Sequence, residues 1–261
     1  MGYPALTDLA TFVTVLGVGV PSVFIFSKVL KLNPQSITFS RKRREALLGL
    51  LVFVAVVFGT FGIYDFYDKI WVRATLTADP VYVLRGCIAI IVILIPMAIA
   101  LKWSKQSFQS IAVTRKGLKK SLAIGILTSL TLILFLGILS PYLGGGFVGF
   151  SVPIGYFLLS YIIIGFGEEI IFRGYIQTRL TSNNGAALGI GVTSVFYAIY
   201  SVPMGYFCYS GNIPLSLAYG AWRVSSGLLY SYTFYKSQNV VSSSIVHMFL
   251  VWGGLLFGLY L

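Results

Sequence analysis

The feature that most constrains this chain is a succession of long apolar runs separated by short loops that carry the charge. The runs are Leu9–Leu30, Ala46–Tyr64, Val81–Leu101, Leu122–Leu143, Pro153–Phe172, Ala186–Val202, Ile213–Tyr235 and Val240–Leu261. Most are near the roughly 20 residues that carry a helix across the hydrocarbon core of a bilayer. Lipid offers the backbone no hydrogen-bond partners, so a spanning segment must be a helix or part of a closed barrel. The runs are too long for barrel strands and lack their period-two alternation. The fold class expected is therefore all-α, a polytopic transmembrane bundle of about eight spans. Charged residues make up only 10% of the 261, where about 25% is usual in a soluble domain.

The net charge of +12 is concentrated in alternate loops. The first loop holds Lys28, Lys31, Arg41, Lys42, Arg43 and Arg44, and the third holds Lys102, Lys105, Arg115, Lys116, Lys119 and Lys120. Arg173 and Arg179 are assigned to the fifth loop and Lys236 to the seventh, while the even loops hold only Lys69 and Arg73. Basic loops stay cytoplasmic, so both termini are expected outside. The charge is thus read as topology, and no nucleic-acid partner is expected. Before the first span stand Asp8 and no Lys or Arg, which argues against a cleavable signal and for a retained first span. The absence of other targeting signals favours a cell membrane.

The breaks between spans fall at Asn33-Pro34, Asp79-Pro80, Gly144–Gly146 and Val202-Pro203. Residues 1–152 are read as N-terminal transmembrane helices with basic loops, and 153–261 as the functional core of the same membrane domain. Within the third loop, Gln106–Lys120 mixes Phe108, Ile111, Val113 and Leu118 with basic residues. It is read either as a segment lying on the lipid surface or as a plain solvated loop. No internal repeat of the kind that builds duplicated transporters is present. Cys87 and Cys208 have neither metal-ligand spacing nor a disulfide framework, and both are read as inert.

Seven residues are acidic, and five of them, Asp8, Glu45, Asp65, Asp68 and Asp79, fall in loops or at span ends. The other two, Glu168 and Glu169, are adjacent inside a span, in Gly165-Phe166-Gly167-Glu168-Glu169-Ile170-Ile171-Phe172-Arg173-Gly174-Tyr175. An ionisable residue in a bilayer is costly and marks a functional hypothesis by default. Glu169 and Arg173 stand four apart with the acid first, the favourable order for an ion pair on one helix face. Glu168 is rotated about 100° away. Desolvated beside a like charge, it has the setting of a general base. The alternative is a helix-packing ion pair with a spare glutamate near the interface.

Helix rise places four polar groups in a common layer. Counting about 1.5 Å per residue from the nearest cytoplasmic end, Glu168, Tyr200, Arg223 and His247 all lie roughly 12–21 Å deep. Polar groups at one depth of a bundle tend to share a cavity, so His247, the chain's single histidine, is read as facing it, against the alternative of a packing histidine. Arg223 either neutralises one of the glutamates or meets an anionic substrate or lipid group. A zinc site is excluded by the lack of His-Glu-x-x-His and of enough His or Cys ligands, so no metal and no cofactor are expected.

With these residues in place, the chain from about Pro153 onward resembles the CPBP family, also called the Abi or CAAX-protease-like family of intramembrane glutamic proteases. The strongest match is Glu168-Glu169-x-x-x-Arg173-Gly174-Tyr175 followed by Gln177-Thr178-Arg179-Leu180. The family's Phe-x-x-x-His falls on Phe196 to Tyr200, and its His-x-x-x-Asn on His247 to Val251, so Tyr200 replaces a histidine and Val251 an asparagine. The resemblance implies that Glu168 activates a water and that Glu169 with Arg173 braces it. It further implies that His247 stabilises an oxyanion and that Phe196 and Val251 line the site, where the depth of Arg223 adds it as a further cavity-lining candidate. A phenol, with a pKa of about 10, is a poor base at neutral pH, although it can orient a water. Valine donates nothing, and a lost oxyanion donor can cost on the order of 100- to 1,000-fold in rate.

Three functions remain open from the sequence. One is a glutamate-dependent intramembrane endopeptidase acting on a prenylated or other membrane-embedded protein. The second is a catalytically impaired relative that binds a membrane protein or lipid. The third is a small transporter coupling Glu168 to Arg223.

Overall fold

The computed structural model describes residues 12–34, 37–70 and 80–259. The start of the first run at Leu9, the acidic Asp8 and Asp79, the basic Arg73 and the last two residues of the eighth run lie outside them. Among the described residues there are helices and no strands, an all-α bundle as the apolar runs require. A π-helical turn Val15–Gly19 leads into α1 (Val20–Val29). Then come α2 (Lys42–Ile70), α3 (Pro80–Trp103) and α4 (Leu118–Leu139). The fifth run is α5 (Val152–Glu169), a π-helical stretch Ile170–Gln177, and α6 (Thr178–Asn184). The chain ends with α7 (Ala186–Cys208), α8 (Ile213–Ser237) and α9 (Val240–Leu256).

Six helical segments are both long and apolar enough to cross a bilayer, namely Phe12–Val29, Lys42–Tyr67, Val83–Trp103, Leu118–Leu143, Pro153–Asn184 and Ala186–Cys208. The remaining two runs are also helical but differ in kind. α8 has 25 residues, yet its buried residues include Ser216, Gly220, Ser225, Ser226, Gly227 and Ser231, small residues that let helices approach closely and share hydrogen bonds, beside Leu229, Tyr230, Thr233 and Phe234. α9 is apolar but has only 17 residues, about 25 Å at helical rise. Both pack into the bundle interior, α8 mainly on α7 and α9 on α4 and α5. Gly227 permits the α7–α8 contact, since a Cβ there would fall 2.9 Å from the backbone of Ser194.

The fifth run is longer than its apolar stretch indicates. The helix passes through Phe172 without a break and continues to Asn184, where Gly185 turns the chain directly into α7 with φ +84 and ψ 167. That conformation is essentially reserved for glycine. Arg173 and Arg179 therefore belong to a helix and not to a loop, and both are fully buried. The division by apolar runs puts them in the fifth loop because hydropathy weighs a side chain without its partners, whereas the Glu169–Arg173 spacing already reads as one helix face. The remaining basic residues still favour the odd loops.

The segment Gln106–Lys120 is neither a surface helix nor a free loop. A short 3-10 turn, Phe108–Ile111, drives Ile111 into the core, while Ala112 packs with Phe234 and Val240. The Asn239 side-chain amide donates to the Thr114 carbonyl at 2.7 Å, which ties the segment to the start of α9. Gly174 accommodates this docking, because a Cβ there would stand 2.5 Å from the Ile111 carbonyl oxygen.

Candidate functional site

Glu168 and Glu169 are the last two residues of α5, at the point where α-helical winding gives way to π. A π stretch adds a residue to each turn, and such stretches recur at functional sites. Every residue from Ile171 to Gln177 is buried, so this stretch is wrapped by neighbours on all sides. Its polar side chains must then find partners within the bundle or leave buried groups unpaired at a cost.

They find them in α8 and α9. Arg173 donates through Nη1 to Glu169 Oε1 at 2.9 Å and through Nη2 to the Gly227 carbonyl at 3.2 Å. One turn further on, Gln177 donates to the Ser231 carbonyl at 2.9 Å, so residues four apart on one helix meet carbonyls four apart on the next. The guanidinium also lies 4.7 Å from the ring centre of Tyr197 and 5.2 Å from that of Tyr230, within cation–π range. The expected Glu169–Arg173 pair is thus present, with both side chains shielded from solvent.

His247 joins the same centre from α9. Its Nδ1 lies 3.2 Å from Glu169 Oε1, and the ring stacks on Tyr230 with centroids 4.5 Å apart. The Tyr197 hydroxyl is 3.3 Å from Nε2. A carboxylate on one ring nitrogen fixes the orientation of the imidazole and leaves the other nitrogen as the working end. That end points toward Glu168, with Nε2 3.8 Å from Glu168 Oε2. Glu168 itself is 7% exposed and accepts a hydrogen bond on Oε1 from the Tyr200 hydroxyl at 2.8 Å. Glu169 Oε2 is buried with no hydrogen-bond partner among the described residues.

The structure therefore brings together Glu168, Glu169, Arg173, Tyr200 and His247, drawn from α5, its π extension, α7 and α9. The other three candidates stand apart from this hydrogen-bonded group. Arg223 donates to the Tyr219 hydroxyl and lies over that ring, and it makes no ion pair with either glutamate among the described residues. Phe196 stacks on Phe53 of α2, with centroids 3.9 Å apart. Val251 is buried one turn beyond His247 and offers no polar atom. Among the described residues there is no group of His, Cys, Asp or Glu arranged to hold a metal ion.

Two members of the centre escaped the sequence reading, Tyr197 and Tyr230. Tyr197 is three residues before Tyr200 and Tyr230 seven after Arg223, spacings that put each on the same helix face as a residue already singled out. The spacing was visible, but phenols inside apolar runs pass for packing residues.

A comparison with protein families finds one similarity, over the C-terminal part of the chain. Residues 150–253, which contain the whole centre, match the family model described as type II CAAX prenyl endopeptidase Rce1-like. No curated protein and no solved structure matched the chain. Over residues 150–253 the chain is thus similar to the Rce1-like, CAAX-protease-like domains of the CPBP family.

Proposed function

We propose that the chain is a glutamate-dependent intramembrane endopeptidase, with Glu168 as general base and a membrane-held protein, such as one with a prenylated C-terminus, as substrate. The observation that carries this reading is the disposition of the two oxygens of Glu168. Oε1 is occupied by the Tyr200 hydroxyl, while Oε2 faces His247 Nε2 across 3.8 Å. That separation is too long for a hydrogen bond, yet an oxygen atom can sit about 2.8 Å from both.

In the proposed step, Glu168 Oε2 takes a proton from water as the water oxygen bonds to the scissile carbonyl carbon. Negative charge then gathers on the former carbonyl oxygen. His247, held by Glu169 and Tyr230, and the hydroxyl of Tyr197 are the groups placed to meet it. When the C–N bond breaks, Glu168 returns the proton to the leaving nitrogen, so the carboxylate is regenerated. Tyr200 acts as a positioning residue: its hydroxyl holds Glu168 in one rotamer and leaves Oε2 for the reaction. Arg173 holds Glu169 in place, and so acts through it on His247.

A second reading rests on Val251. The position one turn after His247 carries no donor, which lowers the stabilisation available to an oxyanion. A domain that binds a membrane protein without cleaving it fits that feature. The two readings separate in one assay, in which the wild type and Glu168→Gln in lipid are offered fluorescent prenylated and unprenylated peptides. Cleavage by the wild type that the variant lacks supports the endopeptidase. Binding of equal strength by both, with no cleavage by either, supports the binding module.

A further inference from the structure

At the end of the bundle that carries the basic loops, a cavity of about 600 Å³ opens between the residues after α1, the docked third loop, the start of α4 and the end of α8. Four lysines line it, Lys31, Lys116, Lys120 and Lys236, and no carboxylate does. None of the four forms an ion pair among the described residues. Four like charges gathered round one cavity repel each other. Lys120 Nζ donates to the Lys31 carbonyl at 3.5 Å and Lys236 lies near aromatic rings, but among the described residues no anion neutralises any of the four. Thr114 and Gln238 add neutral polar groups to the same wall.

The start of α4 adds to the positive potential. Gly117, at φ +70, stands at its N-cap with no side-chain cap, and the first turn holds no acidic residue. The unpaired amides and the positive end of the helix dipole therefore remain available to an anion. Lysine suits phosphate as a point charge. We infer that this cavity binds a phosphate-bearing anion, presented by the head group of an anionic membrane lipid.

The lipid source is favoured by the apolar margin of the site. Leu32 and Ile37 are part of its lining, and the Lys236 ammonium lies 5.9 Å from the ring centre of Phe24, a half-exposed residue of α1. A head group seated on the lysines thus has apolar surface beside it for its chains. Basic pockets between spanning helices on the cytoplasmic side are a recurrent way of holding such lipids.

The test uses the purified full chain and reads its melting temperature against added phosphatidylglycerol, phosphatidylcholine or inorganic phosphate. Phosphatidylglycerol is expected to stabilise the protein, and phosphatidylcholine is not. Lys116→Gln/Lys120→Gln is expected to weaken the phosphatidylglycerol effect by about 30-fold in apparent affinity, from about 1 kcal/mol per lysine. Arg41→Gln/Arg44→Gln, which removes the same charge from exposed sites outside the cavity, is expected to leave it intact. Stabilisation by inorganic phosphate as strong as by the lipid, and lost in the lysine variant, would retain the phosphate site and overturn the lipid as its source. Equal responses in the two double variants, or no response to either anion, would overturn the proposal.

Discussion

Arg173 and Arg179 stand six residues apart on one helical run, and both are fully buried and paired with a glutamate, but only one of them belongs to the proposed reactive centre. Arg179 is enclosed by stable partners. Its Nε is 3.2 Å from Glu45 Oε2, Nη1 donates to the Tyr175 carbonyl at 3.0 Å, and Nη2 donates to Gln106. The guanidinium covers the Tyr175 ring at 3.5 Å. Among the described residues no histidine and no second carboxylate pairs with it. Arg173 holds a carboxylate that also reaches His247, which in turn faces a second carboxylate. The difference teaches that burial of an ion pair does not mark function. What marks it is a pair that leaves acceptor capacity directed at another titratable group.

That comparison can be broken at several points. The largest effects are expected from removing one partner of each pair, which strands a buried charge at a cost of about 3–5 kcal/mol. Arg173→Met and Arg179→Met should lower the melting temperature to a similar degree. Cleavage per folded molecule should vanish only in Arg173→Met, measured on the monodisperse fraction at low temperature. The double variant Glu45→Met/Arg179→Met should recover most of the stability lost in Arg179→Met, since a buried pair replaced by apolar groups of similar volume is often neutral. If it recovers nothing, the Arg179 cluster does more than hold α6 against α2.

A smaller effect is expected at Tyr200. Tyr200→Phe removes one hydrogen bond to a carboxylate, about 1.5–3 kcal/mol, or about 10- to 100-fold in kcat with KM little changed. An unchanged kcat would show that Glu168 needs no positioning from α7. The smallest concerns the docked loop. Gly174→Ala forces a methyl against the Ile111 carbonyl and should cost about 1–3 kcal/mol, read as a lower denaturation midpoint. Retention of wild-type stability would mean that the third loop yields easily.

Apolar runs located the long helices of the bundle but not α6, and the adjacent glutamates located the candidate site, because an unexplained charge in lipid stands out against leucine and valine. The end of the fifth run was harder to read. Arg173 and Arg179 fall in a loop when apolar runs alone divide the chain, yet carbonyls of α8, Glu45 and Gln106 meet Arg173, Gln177 and Arg179 from elements distant along the chain. No local pattern reports such partners. Tyr197 and Tyr230 were missed for the opposite reason, since their rings fit an apolar pattern and only their hydroxyl or stacking contacts reveal a role. The third loop reads as a lipid-surface or solvated segment from its mix of apolar and basic residues, and the residues that anchor it in the core, Ile111 and Ala112, are no more apolar than their neighbours.

The most direct measurement is peptide cleavage in lipid by Glu168→Gln and Glu45→Gln side by side with the wild type. Both substitutions keep the side-chain shape and remove one carboxylate, one from the reactive centre and one from the closed cluster. Loss of a general base should lower the rate of Glu168→Gln by about 100- to 10,000-fold, while Glu45→Gln retains near wild-type turnover in its folded fraction. Wild-type turnover in Glu168→Gln, or an equal loss in both variants with the fold intact, would contradict the assignment of Glu168 as the base.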